Sequence, residues 1–379
     1  MGNKIIRAIK NALKFIAPSG MYLQYYGKKH DDFYRELMRD VEAPEHYLNN
    51  PDVKRDYFDS LTKYGFPVRY YKELGFYEIK DKKQRNSYVG PGRLYAVWYG
   101  INSGPSRPKL DDKIIYLKTF DKYINRKWLD MESATYDEFV DFIKAYPKSI
   151  VKNPRSFGGK GTHIFDYTGQ SDDELKEIYE SYVNSKSLME QYIYQKGLLH
   201  DVNPSSVNCC RVCTMRFKDH VEIFQTYVTM GNGDVCVDNA YEGGLFTPID
   251  VETGEILRDP VDEMWKAYPK HPVSGIELKG KIVPYWDKVK ETVLKAADEV
   301  PDIYYVSWDV CVSEDGQIYL IEGNSCGDGM WLKDGGAWET YVRAMKSNHN
   351  YFKYKLAYNY IIKLRLEELM SYLRSYDDE

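Results

Sequence analysis

Residues 303–324 read IYYVSWDVCVSEDGQIYLIEGN, and this stretch decides the fold. Two runs rich in Val, Ile, Tyr and Trp flank Asp315-Gly316, a pattern that predicts a two-residue β-hairpin. If Glu314 pairs with Gln317, Asp309 falls directly opposite Glu322. Asn324, two residues further on, shares their face. The other face, with Val306, Trp308, Val310 and Val312 against Tyr319 and Ile321, is apolar and predicts a core contact. Two facing carboxylates about 5 Å apart repel by about 3 kcal/mol at an effective dielectric of ~20. A bound cation reverses that penalty. Three hard oxygen donors without His or Cys suit Mg²⁺. A solvated edge hairpin with scattered acids fits the same residues, and a slip of one residue would part the two acids.

Upstream, Lys152 sits inside the strand-like run Ser149-Ile-Val-Lys-Asn153. A lysine in a buried strand needs a partner or a polyanion. Four residues later comes Ser156-Phe157-Gly158-Gly159-Lys160-Gly161. Its glycines allow backbone N–H groups to approach a phosphate chain, and Lys160 adds a positive charge. The spacing matches neither a Walker A loop nor GxGxxG. Alone, the segment reads equally as a flexible hairpin tip. Together with an acidic hairpin it suggests phosphates held at one end and a bridging Mg²⁺ at the other.

Around these motifs the chain alternates elements. Thr135-x-x-Glu138 and Ser171-x-x-Glu174 are capping boxes that open helices. Residues 162–167 and 188–193 read as strands. NCCRVCTMRF and VEIFQTYVTM form a further strand pair turning at Lys218-Asp219. A helix is expected within 281–300 and a closing helix over 351–374. Asp31 to Met38 and Asp52 to Tyr64 look helical, whereas Gly90 to Pro108, rich in Gly, Pro and Ser, reads as irregular. The expected division is a helical and irregular region over 1–115, an α+β unit over 116–195, a second over 196–345, and a helix over 346–379.

Composition sets outer limits. The chain has 379 residues, 43% hydrophobic and 29% charged, ordinary for a folded protein of two or three domains. A net charge of -5 argues against bulk nucleic-acid binding. No apolar run approaches the ~20 residues of a membrane span. The N-terminal MGNKIIRAIKNALKFI carries Lys4, Arg7, Lys10 and Lys14. It is too charged for a secretory signal and reads as a basic amphipathic helix, packed on the protein or docked on an anionic membrane or partner. Six cysteines include Cys210 and Cys213 in a CxxC. With no second pair, and with strand spacing sending them to opposite faces, reduced thiols in a cytoplasmic protein are expected.

The order of basic strand, glycine loop, hinge strand, Asn/Arg strand and Asp…Glu-x-Asn hairpin resembles the ATP-grasp superfamily, and specifically its sugar-transfer associated family. The blocks that carry the likeness include IVKNPRSFGGKGTHIF, LMEQYIYQKGLLHDVNPSSVNCCRVCTMR and DNAYEGGLFTPIDVETGEI. They lie within roughly 120–330. The resemblance implies an α+β ATP-grasp fold, in which two α+β subdomains clasp ATP, with a mainly helical N-terminal region and a C-terminal helix. It implies that Lys122 and Lys152 hold nucleotide phosphates. Glu190, Gln191, Tyr192 and Ile193 would be the hinge that reads adenine through backbone groups. His200 or Asp201 would reach the ribose or the acceptor. Arg211, with Arg216 as a weaker candidate, would stabilise the transferred phosphoryl group. Asn239 and Gly243-Gly244 would lie near an acyl phosphate. Two departures stand out: Lys152-Asn153-Pro154 replaces the family's Lys-Pro, and Asn208-Cys209-Cys210-Arg211 replaces its Asn-Thr-x-Arg. Both spare the charged residue.

The implied activity is ATP-dependent carboxylate–amine ligation through an acyl phosphate, using ATP and Mg²⁺ and releasing ADP and phosphate. The implied substrates are small-molecule acids and amines, free or sugar-linked, near cell-surface glycan assembly. A kinase using the same nucleotide site and a non-catalytic scaffold are the alternatives.

Overall fold

The computed structural model describes residues 51–66, 71, 75–154, 161–239, 242–263, 265–326 and 336–375. The basic N-terminal segment, Asp31 to Met38, and Ser156, Gly158, Gly159 and Lys160 of the glycine loop lie outside them. The chain forms two compact units. Gly104–Gly329 is one, and the described parts of Met1–Ser103 and Met330–Glu379 make the other. The sequence-based boundary near 115 therefore falls inside a unit, and the closing helix shares its unit with the N-terminal region.

The N-terminal part holds α1 (Pro51–Asp59), continued by a π-helical turn over Ser60–Tyr64, and α2 (Pro91–Gly100). Helix α2 corrects the expectation of an irregular 90–108. Pro91 occupies its first turn, where a missing N–H is harmless, and Leu94, Ala96, Val97 and Trp98 are buried.

The unit Gly104–Gly329 contains both sheets. Helix α3 (Lys113–Thr119) is capped by Asp112, whose Oδ1 accepts from Ile114 N at 2.9 Å and Ile115 N at 3.0 Å. A four-stranded antiparallel sheet has the order β1-β4-β2-β3, made of β1 (Trp128–Asp130), β2 (Lys148–Lys152), β3 (His163–Asp166) and β4 (Leu188–Gln191). Helices α4 (Tyr136–Ala145) and α5 (Asp172–Asn184) both open with the expected capping boxes. They build one core with Phe139, Ile143, Val151, Phe165, Leu175 and Met189. Alternation then turns Lys152 and Glu190 to the opposite face.

A five-stranded antiparallel sheet follows, ordered β7-β6-β5-β8-β9. It contains β5 (Cys209–Arg216), β6 (Val221–Met230), β7 (Leu245–Pro248), β8 (Tyr305–Val312) and β9 (Ile318–Asn324). Helix α6 (Trp286–Ala297) puts Val289 and Val293 into the same core as Val212, Val228, Val306, Trp308 and Val310. The chain then re-enters the first unit with α7 (Ala337–Ser347) and α8 (Tyr351–Ser375). In that unit Gly100 of α2 crosses close to Ala357 of α8; a Cβ on the glycine would meet the alanine Cβ at 2.5 Å.

The hairpin that decides the fold forms, but with a different turn. Val312 pairs with Ile318, and Ser313 N donates to Gln317 O at 3.0 Å. Three residues, Glu314 to Gly316, make the tip, with Gly316 left-handed at φ 82°, a known three-residue alternative. Glu314 is diverted because its Oε1 accepts from Leu198 N at 2.9 Å. The shift alone would separate the acids. A bulge between Asp309 and Val310 cancels it, so Asp309 still faces Glu322 and Ser307 faces Asn324. The core face is corrected accordingly. Ile318 and Leu320, rather than Tyr319 and Ile321, join Val310 and Val312 in the core. Gly323 has a structural reason to be glycine: a Cβ there would lie 2.7 Å from the Trp308 ring.

The two sheets are tied at the outer edge of β9. Asn125 Nδ2 donates to Ile318 O at 2.7 Å. Arg126 donates through Nη1 to Leu320 O at 2.8 Å and through Nη2 to Ile321 O at 3.2 Å. Its Nε is bonded to Glu190 Oε2, and Glu190 Oε1 lies 2.9 Å from Lys152 Nζ. Burial alone would raise the Glu190 pKa, but Arg126 and Lys152 pull it down to about 2.

A depressed carboxylate pKa adds stability above the unfolded value and loses it as pH falls through the folded one. For Glu190 the window runs from the ordinary 4.5 down to about 2, which corresponds to about 3 kcal/mol. Urea denaturation of Glu190→Gln should therefore show a loss of about 3 kcal/mol at neutral pH and a flatter acid limb below pH 5. Parental stability with an unchanged acid limb would show the triad to be energetically idle.

Candidate active site

On the face of the five-stranded sheet opposite α6, cross-strand pairing brings Arg211 beside Asp309 and Asp309 beside Glu322. Arg211 Nε lies 2.8 Å from Asp309 Oδ1 and Nη2 lies 3.1 Å from Oδ2. This is the forked arrangement that guanidinium and carboxylate favour. Burial would lower the Arg211 pKa, yet the Asp309 charge holds it above its ordinary value. Asn324 Nδ2 approaches Asp309 Oδ2 at 3.4 Å. The three predicted metal ligands are thus contiguous, and one of them is already paired with the predicted phosphoryl-stabilising arginine.

Glu322 is less well served. Lys113 Nζ stands at 3.8 Å from its Oε1. Burial first, and then the nearby Asp309, push its pKa up against the pull of Lys113, Lys152 and Arg211. Arg126, bonded to Glu190 beside Lys152 and to the carbonyls of Leu320 and Ile321, brings the basic strand next to the acidic hairpin. Cys236, in the loop after β6, places Sγ 4.0 Å from Thr162 O at the far end of the glycine hairpin.

Lys122 is not brought to this site. Its exposed ammonium pairs with Glu299 at 2.6 Å, just past α6 and on the helix side of the sheet. Lys113 takes the place beside the acids. The same Asp-Lys dipeptide occurs at Asp112-Lys113, nine residues before the one chosen from sequence. Arg216 is also removed from the site: it donates to Ala297 O at 2.6 Å and pairs with Asp298 at 3.1 Å, capping the C-terminus of α6.

The predicted hinge has its backbone donors partly used. Gln191 N donates to Lys127 O at 2.8 Å and Tyr192 N to Lys148 O at 3.3 Å. Tyr192 lies under Lys148 Nζ at 4.2 Å, and Glu190 acts through its side chain. Ile193 belongs to a small apolar cluster with Cys209, Cys311, Tyr319 and Ile321. Asp201 is exposed and His200 half-buried on the short helix Leu198–Val202. Gly161 is left-handed at φ 76°.

Asn239 O accepts from Gly244 N at 3.0 Å, and a Cβ on Gly244 would lie 2.7 Å from that oxygen. Its neighbour Asp238 escaped the sequence reading. Asp238 Oδ2 accepts from Cys209 N at 2.9 Å and Thr229 Oγ1 at 2.7 Å. Burial, and then Asp309, raise its pKa, so it is part of the same charge cluster. Asn208 is wholly structural. It accepts from Ser206 Oγ at 2.7 Å and Gly231 N at 3.0 Å, and donates to Leu199 O and Asn203 O. All six cysteines are free thiols. Cys210 sits in the α6-side core, while Cys213 Sγ on the other face approaches Ser307 Oγ at 3.8 Å.

No curated protein matches the chain in a sequence comparison. Solved structures do resemble it in part. N5-carboxyaminoimidazole ribonucleotide synthetase with bound ADP is 12% identical over 62% of this chain and 51% of that one, with a TM-score of 0.40. The ATP-grasp ligase PsnB, complexed with a variant of its minimal precursor, Mg and ADP, is 11% identical over 65% and 62%, with a TM-score of 0.41. D-alanyl-alanine synthetase A from Vibrio cholerae O1 biovar eltor str. N16961 is 14% identical over 68% and 67%, with a TM-score of 0.36. The chain thus spans about half to two thirds of these proteins' lengths. A model of the sugar-transfer associated ATP-grasp family matches residues 101–336, a span that includes every strand of both sheets. The chain has the α+β ATP-grasp fold and belongs to the sugar-transfer associated ATP-grasp family.

Proposed function

We propose that the protein is an ATP-dependent carboxylate–amine ligase that acts in the cytoplasm and forms an amide through an acyl phosphate. The observation that carries this reading is the pairing of Asp309 with Glu322, Asn324 alongside, on a hairpin that Arg126 joins to Glu190 and Lys152. These oxygen donors fit Mg²⁺. Burial, with Asp309 adding to it, makes Glu322 hold its proton more tightly than usual, a cost that a bound cation would offset. Asp309, Glu322 and Asn324 would hold the ion, leaving its other positions to water and phosphate. Bound there, Mg²⁺ would supply positive charge that neutralises nucleotide phosphates.

The chain's own residues do the rest. Lys152 and Lys113, with Ser156, Gly158, Gly159, Lys160 and Gly161, take the phosphate chain. Glu190, shared between Arg126 and Lys152, keeps the Lys152 ammonium aimed at it. The hinge segment Gln191 to Ile193 and the apolar cluster of Cys209, Cys311, Tyr319 and Ile321 receive the base, and Asp201 or His200 the ribose or acceptor. A substrate carboxylate oxygen bonds to the γ-phosphorus as the bond to ADP breaks. Arg211 spreads the charge that develops on the moving phosphoryl group. An amine then attacks the acyl carbon, phosphate leaves with the bonding pair, and the amine proton passes to solvent. Asn239 and the Gly243-Gly244 turn border that step. The family name points to an amino acid or peptide joined to a sugar or cell-surface glycan precursor.

A panel of acid and amine pairs assayed for ADP release would identify the substrates. Hydroxylamine trapping of a hydroxamate is the expected sign of an acyl phosphate, and a stable phosphorylated product would instead establish a kinase. With an active pair in hand, Asp309→Asn or Glu322→Gln should lower kcat at least ~1000-fold, with Tm within a few degrees of the parent. Near-parental turnover in either would remove the metal assignment. The two lysines separate cleanly: Lys113→Ala should lower kcat/KM by ~100-fold or more, and Lys122→Ala should stay within about twofold. The reverse order would return the phosphate role to Lys122.

A further inference from the structure

Helix α8 carries two apolar stripes, and the fold uses one of them. Tyr354, Tyr358 and Ile362 are buried within their unit, with Tyr358 Oη donating to Thr62 O at 3.0 Å. The second stripe, Phe352, Leu356 and Tyr360, also repeats every fourth residue and so runs along one side of the helix. These side chains are 71%, 55% and 54% exposed, which no core requirement explains.

The charges beside this stripe are of one sign. Between residues 340 and 366 the sequence holds Arg343, Lys346, Lys353, Lys355, Lys363 and Arg365 and no Asp or Glu. The whole chain is net -5, so the segment runs against the protein's own balance. Lys346, Lys353 and Lys355 are exposed, and among the described residues none of them pairs with a carboxylate. Lys355 Nζ instead lies over the Tyr351 ring at 5.4 Å.

We propose that this face of α8 docks on an anionic lipid surface, with Phe352, Leu356 and Tyr360 entering the acyl boundary and the flanking lysines meeting lipid phosphates. An apolar stripe edged by cations is what an interfacial helix needs. Nucleic acid would satisfy the lysines but leave Phe352 and Leu356 in water. No helix among the described residues is long and apolar enough to cross a membrane, so the contact is peripheral.

The test is co-sedimentation of the full chain with vesicles. The probe is phosphatidylcholine containing about one third phosphatidylglycerol, compared with phosphatidylcholine alone. The expected result is binding to the anionic vesicles only, abolished near 1 M salt, where the screening length falls to about 3 Å. Phe352→Ser with Leu356→Asp, and separately Lys353→Glu with Lys355→Glu, should each weaken binding at least ~10-fold with unchanged Tm. Three results would overturn the proposal. One is no vesicle binding by the parent. Another is parental binding by both variants with loss only on Lys4→Glu and Arg7→Glu. The third is a parent dimer that Leu356→Asp converts to a monomer, which would make the face a contact between copies.

Discussion

A single buried guanidinium holds the candidate site in shape. Arg126 donates to the carbonyls of Leu320 and Ile321 and to the Glu190 carboxylate. Ile321 is the extra residue of the β9 bulge, and that bulge is what returns Glu322 to a position opposite Asp309 after the turn has shifted the register. Glu190, in turn, positions Lys152. A planar, five-donor group can serve three acceptors at fixed angles, which a lysine cannot. The acidic hairpin and the basic strand are thus set from one point.

From that point the charges alternate, except where Glu322 and Asp309, both negative, face one another. Arg126, Glu190 and Lys152 are in contact. Lys152 acts on Glu322, Glu322 on Asp309, and Asp309 is forked to Arg211. Asp238 closes the series on the far side. Alternation of this kind keeps several ionised groups in a half-buried space without a large unpaired charge. The weakest link is Glu322, whose nearest cation among the described residues stands at 3.8 Å. That is where an added positive charge gains most.

The hairpin, its acidic face and the basic strand were legible because alternation and an Asp-Gly turn are local signals. The facing of Asp309 and Glu322 was reached through a turn that does not form, and a compensating bulge made the outcome the same. Arg126 was not legible: it lies in Asn125-Arg126-Lys127 between elements, and its partners are 64 and 194 residues away in sequence. Lys122 and Lys113 share the same dipeptide, so spacing alone could not choose between them; the pairing of Lys122 with Glu299 does. Helix α2 was hidden by reading Gly90-Pro91 as a breaker when it is a start signal.

In the proposed ligase, Asp309, Glu322 and Asn324 hold a divalent ion against phosphates gathered by Lys152. The most direct measurement is a crystal structure of the full chain with Mg²⁺ and a non-hydrolysable ATP analogue. The expected result is oxygens of all three side chains at about 2.1 Å from the ion, with phosphate oxygens bonded to Lys152 beside it. An ion held by other residues, or a nucleotide lying away from β8 and β9, would contradict it.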